Sequence, residues 1–211
     1  MTSRAVFLDR LRSAIGAGAP EPHRPLAPVD HPPQVEPRWL DADIPMVERW
    51  ARAFSVLGGH VHRTTEAELA SAIAVALAGR GPVLVDERLG PADGPWLRWP
   101  SCGLEVAATA HCGVVEATAA IAVTGTLVVD TNRSGRLVSL LPPVAVFVVR
   151  SSSVVPLTGD VLRSHGERWP GGPPTNVVLI TGPSRSGDIE MSLVVGVHGP
   201  GEVHAVLVDD R

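Results

Sequence analysis

Residues 176–208 read NVVLITGPSRSGDIEMSLVVGVHGPGEVHAVLV, and this stretch decides the fold because several independent signals converge in it. An apolar, β-branched run at 177–181 stops at Gly-Pro-Ser, residues 182–184. The small and polar residues that follow offer N-caps for a helix, and a second apolar run at 203–208 closes the stretch. The pattern predicts a strand, a tight loop, a helix, a loop and a strand.

The loop at 182–188 is a candidate binding site for an anion. A loop that opens a helix points free N–H groups outward at the positive end of the helix dipole. Arg185 adds a bidentate donor for a carboxylate or phosphate. Ordinary capping is the alternative, because Asp188 and Glu190 lie in the same first turn and Asp188 could pair with Arg185. GPSRSG is neither a dinucleotide fingerprint nor a Walker loop, so both interpretations stay open.

A second candidate loop is Thr-Gly-Thr at 124–126, where a glycine would let the backbone approach a ligand and two hydroxyls could donate to it. A glycine in a strand is also typical of a bulge. We expect both loops at the carboxyl ends of strands, where open α/β sheets place ligands. The candidate ligand-binding residues are Thr124, Gly125, Thr126, Gly182, Pro183, Ser184, Arg185, Ser186, Gly187, Asp188, Glu190, His198 and Gly199.

The length and composition predict one α/β domain. The chain has 211 residues, of which 45% are hydrophobic, and strand-like and helix-like segments alternate from about residue 41. We expect an open, twisted, mostly parallel sheet flanked by helices over residues 41–211. Residues 1–40 combine a short amphipathic segment with seven prolines between 16 and 37, which predicts a helix followed by an extended arm.

The composition also excludes several classes of function. The net charge of −4 argues against a nucleic-acid binder. All 18 basic residues are arginines, so a Schiff base and a Walker-type lysine are impossible. The two cysteines, Cys102 and Cys112, are too few to hold an iron–sulfur cluster, and we expect no cofactor in this chain. No signal peptide or apolar run near twenty residues is apparent, which predicts a cytoplasmic protein without membrane insertion.

The histidines are possible metal ligands. His60 and His62 alternate with Val61 and share one face of a predicted strand, but no carboxylate lies nearby at ligand spacing. We therefore predict no metal site. His204 sits within an alternating strand and is interpreted as a core histidine. No catalytic set of known spacing is recognisable.

Two blocks of sequence resemble the lactate-utilization (LUD) domain family, C type. One is TGPSRSGDIE at 181–190 followed by LVVGVHGPGEVH at 193–204; the other is AAIAVTGTLVV at 119–129 followed by SLLPPV at 139–144. Val123 stands just before Thr-Gly-Thr, where members of the family carry an acidic residue, so no role of that carboxylate transfers.

The resemblance implies the fold shared by ribose-isomerase, coenzyme-A-transferase and formyltetrahydrofolate cyclo-ligase-like proteins, without transferring a reaction. It also implies a non-redox subunit of an L-lactate oxidation system, whose iron–sulfur clusters belong to partner proteins. The alternative is a free-standing enzyme or sensor that binds a small phosphorylated or acyl ligand such as coenzyme A or ATP.

Overall fold

The computed structural model of the chain describes residues 6, 13, 43–87, 96–131, 135–187, 193–196 and 198–210. The chain divides into two units, Met1–Leu40 and Asp41–Arg211. The helix and proline-rich arm expected in the first unit lie outside the described residues, apart from Val6 and Ser13, and stay predictions. The described strands lie in the second unit.

The described residues of the second unit form twelve strands and six α-helices. The strands are β1 (His60–Thr65), β2 (Val83–Asp86), β3 (Trp96–Trp99), β4 (Cys112–Glu116), β5 (Ala119–Ile121), β6 (Thr126–Asp130), β7 (Val144–Arg150), β8 (Val154–Val155), β9 (Val177–Ile180), β10 (Arg185–Gly187), β11 (Leu193–Val195) and β12 (Glu202–Asp209). The helices are α1 (Met46–Val56), α2 (Leu69–Leu77), α3 (Gly103–Ala107), α4 (Arg136–Leu140), α5 (Thr158–Arg163) and α6 (His165–Arg168). None of the described helices is both long and apolar enough to cross a bilayer.

The main sheet has six parallel strands in the order β1–β12–β7–β4–β2–β3. Its central strands are apolar over nearly their whole length, as expected for strands covered on both faces. Helix α2 packs on one face, where Ala76 and Leu77 join a cluster that contains Val146 and Val206. The predicted mostly parallel, helix-flanked sheet is therefore confirmed.

A second sheet, which the sequence pattern did not predict, has four strands in the order β8–β5–β6–β9. The β6 strand runs antiparallel to both β5 and β9, while β5 and β8 are parallel. One face of this sheet shares a buried cluster with α1 and the main sheet, and the other face packs on Val161 and Trp169 of the α5–α6 region. The domain therefore has a second layer of sheet beside the main one, in addition to the small two-stranded sheet β10–β11.

The helix predicted after the capping residues at 184–188 is wrong in the residues of this stretch that the structure describes, 185–187 and 193–196. Arg185–Gly187 forms β10 and pairs antiparallel with β11, Leu193–Val195. The physical reason is that three apolar residues at 193–195 supply a strand partner, while Ser-Arg-Ser-Gly has weak helix propensity. The two apolar runs that frame this stretch also enter different sheets, β9 the second and β12 the main one.

The alanine-rich segment 104–121 contains little helix. Gly103–Ala107 is helical, and the rest of the segment contributes β4 and β5. The segment at 157–168 is divided into α5 and α6, and Arg136 begins α4.

Asp210 ties the end of β12 to the 3₁₀ turn Ser151–Ser153. Its Oδ1 accepts hydrogen bonds from Ser151 Oγ and Ser152 N, both at 2.8 Å, and its Oδ2 accepts one from Ser152 Oγ at 2.5 Å. Burial alone would raise the pKa of Asp210, but the hydrogen bonds from Ser152 and Ser151 outweigh it and lower the pKa from 3.8 to about 2.

We predict that Asp210→Asn unfolds at a lower temperature than the wild type at pH 7. A carboxyl whose pKa is lowered by folding stabilises the folded state above its unfolded pKa, and this contribution is lost as the pH falls through the folded value. The difference between the two proteins should therefore shrink below pH 3.8 and vanish near pH 2. Thermal melting at several pH values tests this, with Asp43→Asn, at an exposed carboxylate, as the control. Parallel curves at every pH would contradict it.

Candidate functional site

The Thr-Gly-Thr loop contains a chain of hydroxyl groups. Thr124 Oγ1 lies 2.7 Å from Thr126 Oγ1, which lies 2.8 Å from Thr181 Oγ1. The backbone of Thr126 is also engaged, because Trp50 Nε1 donates to its carbonyl oxygen at 3.3 Å. These hydroxyls are hydrogen-bonded to one another, so a ligand would have to displace these contacts.

Position 125 requires a glycine because helix α1 packs directly against its backbone. Its φ is +60°, and a β-carbon built on it would lie 2.5 Å from Phe54 N and 2.6 Å from Ala53 C, both in the backbone of α1. A side chain at this position would therefore push α1 away. The close backbone approach that the sequence predicts is present, but its partner is α1.

The loop after β9 also meets the C-terminal end of this helix. Gly182, with φ +79°, lies so near α1 that an added β-carbon would be 3.0 Å from Leu57 O. Arg185 Nη2 donates to Leu57 O at 2.7 Å, where the carbonyls of a helix C-terminus attract a cation. Asp188 and Glu190 lie outside the described residues. Arg185 thus holds the C-terminal end of α1, a contact that the sequence did not predict, while its pairing with Asp188 and its binding of an anion stay predictions.

The two candidate loops do come together, but not where they were expected. Thr126 begins β6 and Thr181 follows β9, and since these strands are antiparallel the two loops share one end of the second sheet. Both loops follow the carboxyl ends of strands, β5 and β9, as the sequence predicts. The difference from expectation is that these strands belong to the second sheet and not to the parallel main sheet.

The remaining candidates surround Ser184. Ser184 N donates to Pro200 O at 2.8 Å, Gly196 N donates to Ser184 O at 2.9 Å, and a β-carbon on Gly199 would lie 3.4 Å from Ser184 Cβ. His198 is exposed nearby in the sequence. Pro183 is partly buried, and Ser186 and Gly187 form part of β10. This region is a backbone junction between the β10–β11 hairpin and the entry to β12.

A cleft of about 490 Å³ lies at the carboxyl ends of β1 and β12, the usual position of ligands in parallel α/β sheets. Seven of its ten lining residues are polar or charged, namely Glu48, Arg63, Thr64, Thr65, Glu68, Ser151 and Asp209. Arg63 Nη2 is paired with Glu48 Oε1 at 2.5 Å. The cleft therefore offers more carboxylates than cations, and its one guanidinium is already engaged.

The sequence pattern did not reveal a cluster of imidazoles and a carboxylate at the opposite, amino ends of β1 and β12. His62 Nε2 lies 2.9 Å from His204 Nδ1, and His204 Nε2 lies 2.7 Å from Glu202 Oε1. The His60 ring stacks on His204 with centroids 4.8 Å apart, and Arg80 Nη1 donates to Glu202 Oε1 at 2.9 Å. Within the described part of the chain, His60, Glu202 and His204 form the group suited to hold a metal ion.

The electrostatics of the cluster favour neutral imidazoles beside an ionised carboxylate. Burial, followed by the neighbouring His204 and His60, lowers the pKa of His62. Burial also lowers the pKa of His204, although Glu202 opposes this. The hydrogen bond with His204, together with Arg80, lowers the pKa of Glu202 despite its burial. A search along the sequence could have found the cluster only by placing β1 beside β12.

We predict that Gly125→Ala destabilises the domain beyond the cost of its positive φ. Gly79 has φ +72° and nothing within 4 Å of an added β-carbon, so Gly79→Ala measures the backbone cost alone, about 1–2 kcal/mol. The overlap with α1 should make Gly125→Ala worse by about 1–3 kcal/mol. Urea unfolding of both variants gives the difference, and equal losses would contradict the packing role of Gly125.

We also predict that Arg185→Ala lowers the free energy of unfolding by about 0.5–1 kcal/mol, because an exposed arginine at a helix C-terminus contributes modestly. Arg52→Ala, an exposed arginine on α1, is the control and should change little. Urea unfolding compares the two. Indistinguishable stabilities of R185A and R52A would show that the contact with Leu57 O contributes nothing.

Comparisons with known proteins agree with this architecture. A family model described as the LUD domain matches residues 102–208. Lactate utilization protein C of Geobacillus kaustophilus is 37% identical over 172 residues, which cover 70% of this chain and 72% of that protein. Lactate utilization protein C of Bacillus subtilis is 37% identical over 134 residues, and the match spans 54% of each chain.

The fold is also found among solved structures. The crystal structure of a DUF162 family protein from Deinococcus radiodurans aligns with a TM-score of 0.61 and 21% sequence identity, covering 77% of this chain and 96% of that one. This likeness concerns the fold alone. The family match extends over half of the chain, and the predicted resemblance is confirmed: the chain belongs to the LUD domain family.

Proposed function

We propose that this chain is a non-redox subunit of an L-lactate oxidation system and acts with iron–sulfur partner proteins. The observation that carries the proposal is the 37% identity, over 70% of this chain, to a protein named lactate utilization protein C. With two cysteines, the chain has too few thiolates for a cluster of its own, so the clusters belong to the partners.

The charge of the cleft favours an assembly role over binding of lactate by this chain alone. Glu48, Glu68 and Asp209 line the cleft at the carboxyl ends of β1 and β12, against the single guanidinium of Arg63. A lactate carboxylate entering there would meet like charges, and it would have to displace Glu48 from Arg63. We therefore assign this subunit to docking rather than to substrate capture.

The outer edge of the second sheet supports this role. Among the described strands, β9 has a neighbour on one side only, β6. Val177 and Leu179 on this strand are 37% and 49% exposed. The alternate residues, Val178 and Ile180, face inward. An apolar edge strand invites pairing with another chain. We assign this edge, Val177 with Leu179, as the docking edge for an iron–sulfur partner.

The first test is affinity purification of the tagged chain from native extract, followed by an iron assay and by lactate-dependent dye reduction. We expect iron-containing proteins to co-purify and the mixture to reduce dye when L-lactate is added. A chain that is purified alone, without iron and without lactate-dependent activity in the mixture, would contradict the subunit role. It would favour the alternative of a free-standing enzyme or sensor for a phosphorylated or acyl ligand.

The second test places the contact. We predict that Leu179→Lys reduces the co-purified iron at least about fivefold, because a central contact in an interface is worth more than about 1 kcal/mol. Val56→Lys on α1, at a side chain that is 86% exposed, is the matched control and should retain the partner. Both variants should melt like the wild type, since neither side chain is buried. Equal iron recovery with both variants would remove the docking edge from the proposal.

A further inference from the structure

The cluster at the amino ends of β1 and β12 is held in place by the backbone. These strands are parallel, and their register sets His60 opposite His204. Glu202 stands two residues before His204 on the same strand and therefore on the same face. One ligand atom from each of His60, Glu202 and His204 lies within 4.8 Å of the others. Three donors from two rigid strands thus converge without any loop to position them.

The cluster is buried on one side and open on the other. His204 is 8% exposed, Glu202 is partly buried, and His60 is exposed. An ion could therefore enter from solvent past His60 and would be held against His204. A water molecule could complete the coordination on the solvent side, as happens at zinc sites with three protein ligands.

His62 supplies the outer partner that a ligating imidazole needs. Its Nε2 lies 2.9 Å from Nδ1 of His204, on the side of the ring away from Glu202. When His204 carries its proton on Nδ1 and donates it to His62, the lone pair of Nε2 is directed to the side where Glu202 lies. Metal-binding histidines usually donate their second N–H in this way, which fixes the ring orientation.

From this arrangement we propose that His60, Glu202 and His204 bind a divalent ion of the Zn²⁺ class, with His62 as a positioning residue. Two imidazoles and one carboxylate are a ligand set suited to zinc and to similar transition ions. Arg80, 2.9 Å from Glu202 Oε1, is exposed and keeps the carboxylate directed into the cluster. The carboxylate has a second oxygen, so Arg80 and the ion can share Glu202.

The site joins an edge strand to its neighbour. Among the described strands β1 pairs with β12 alone, and the ion would cross-link the two at the amino end. The site lies at the opposite strand ends from the cleft, so the inference stands independently of the docking role proposed above. Its expected effect is stabilisation of the folded chain, because a ligand that binds only the folded state raises the melting temperature.

The test uses the full-length untagged chain, stripped with a chelator and dialysed, and titrated with Zn²⁺ in competition with a chromogenic chelator. We expect one ion per chain and a higher melting temperature with Zn²⁺. His60→Asn and Glu202→Gln should each weaken the affinity at least about tenfold, and His62→Asn about tenfold through loss of the outer partner. His111→Asn, at an exposed histidine outside the cluster whose Nδ1 lies 2.6 Å from Gly81 O, is the control and should bind like the wild type.

The chain has eight histidines, so binding at other histidines must be distinguished from this site. The proposal is overturned if the wild type binds no ion, or if His60→Asn and Glu202→Gln bind as tightly as the His111→Asn control. The metal-free melting of each variant checks that it folds. His60 is exposed, so His60→Asn decides the matter by itself if Glu202→Gln does not fold.

Discussion

The structure depends on one constraint, the close packing of helix α1 against the second sheet. Trp50 and Phe54 project from α1, stack on each other at 5.3 Å and are fully buried. Burying two aromatic side chains of this size is among the largest single contributions available to a domain core. The helix can approach only because Gly125 presents no side chain to its backbone, and its end is held by Arg185 at Leu57 O.

This constraint explains why the most recognisable sequence blocks are not an evident ligand site. Gly125, Gly182 and Arg185 belong to the two blocks that carry the family resemblance, and all three contact α1 or its C-terminal turn. A glycine that lets a ligand approach the backbone and a glycine that lets a helix approach it look the same in the sequence, because both positions need the absence of a side chain. The partner is fixed by the fold, which spacing along the chain does not show.

The sequence predicts the parts of this fold that depend on local pattern. The run that became β12 was recognised because strands of a parallel sheet read as continuous apolar runs, and β1 was recognised from the alternation of His60, Val61 and His62. The second sheet was not recognised because Thr-Gly-Thr, at the turn between β5 and β6, was interpreted as a ligand loop or a bulge, and because β9 pairs with β6 from a distant part of the sequence. The carboxylate that the sequence did not reveal beside the histidines is Glu202, which is distant from His60 in sequence and adjacent in space. Register between distant strands is not encoded in any local window.

The cluster itself is hard to explain by packing. On the same face of the sheet, the neighbouring strand β7 presents Val144 and Val146, and β12 itself presents Val206. These side chains fill the core with apolar surface alone. His62 and His204 instead bring ring nitrogens into a partly buried position, where a polar group without a partner costs about 1–3 kcal/mol.

In the part of the chain that the structure describes, those nitrogens find their partners in one another and in Glu202, so each residue requires the next. Removing one member would leave another unsatisfied, which makes such a network costly to keep for stability alone. Valines at these positions would fill the face without that interdependence. A cluster of three imidazoles and one carboxylate is better explained if their donor atoms also coordinate a divalent ion, because this set of ligands is chemically suited to one.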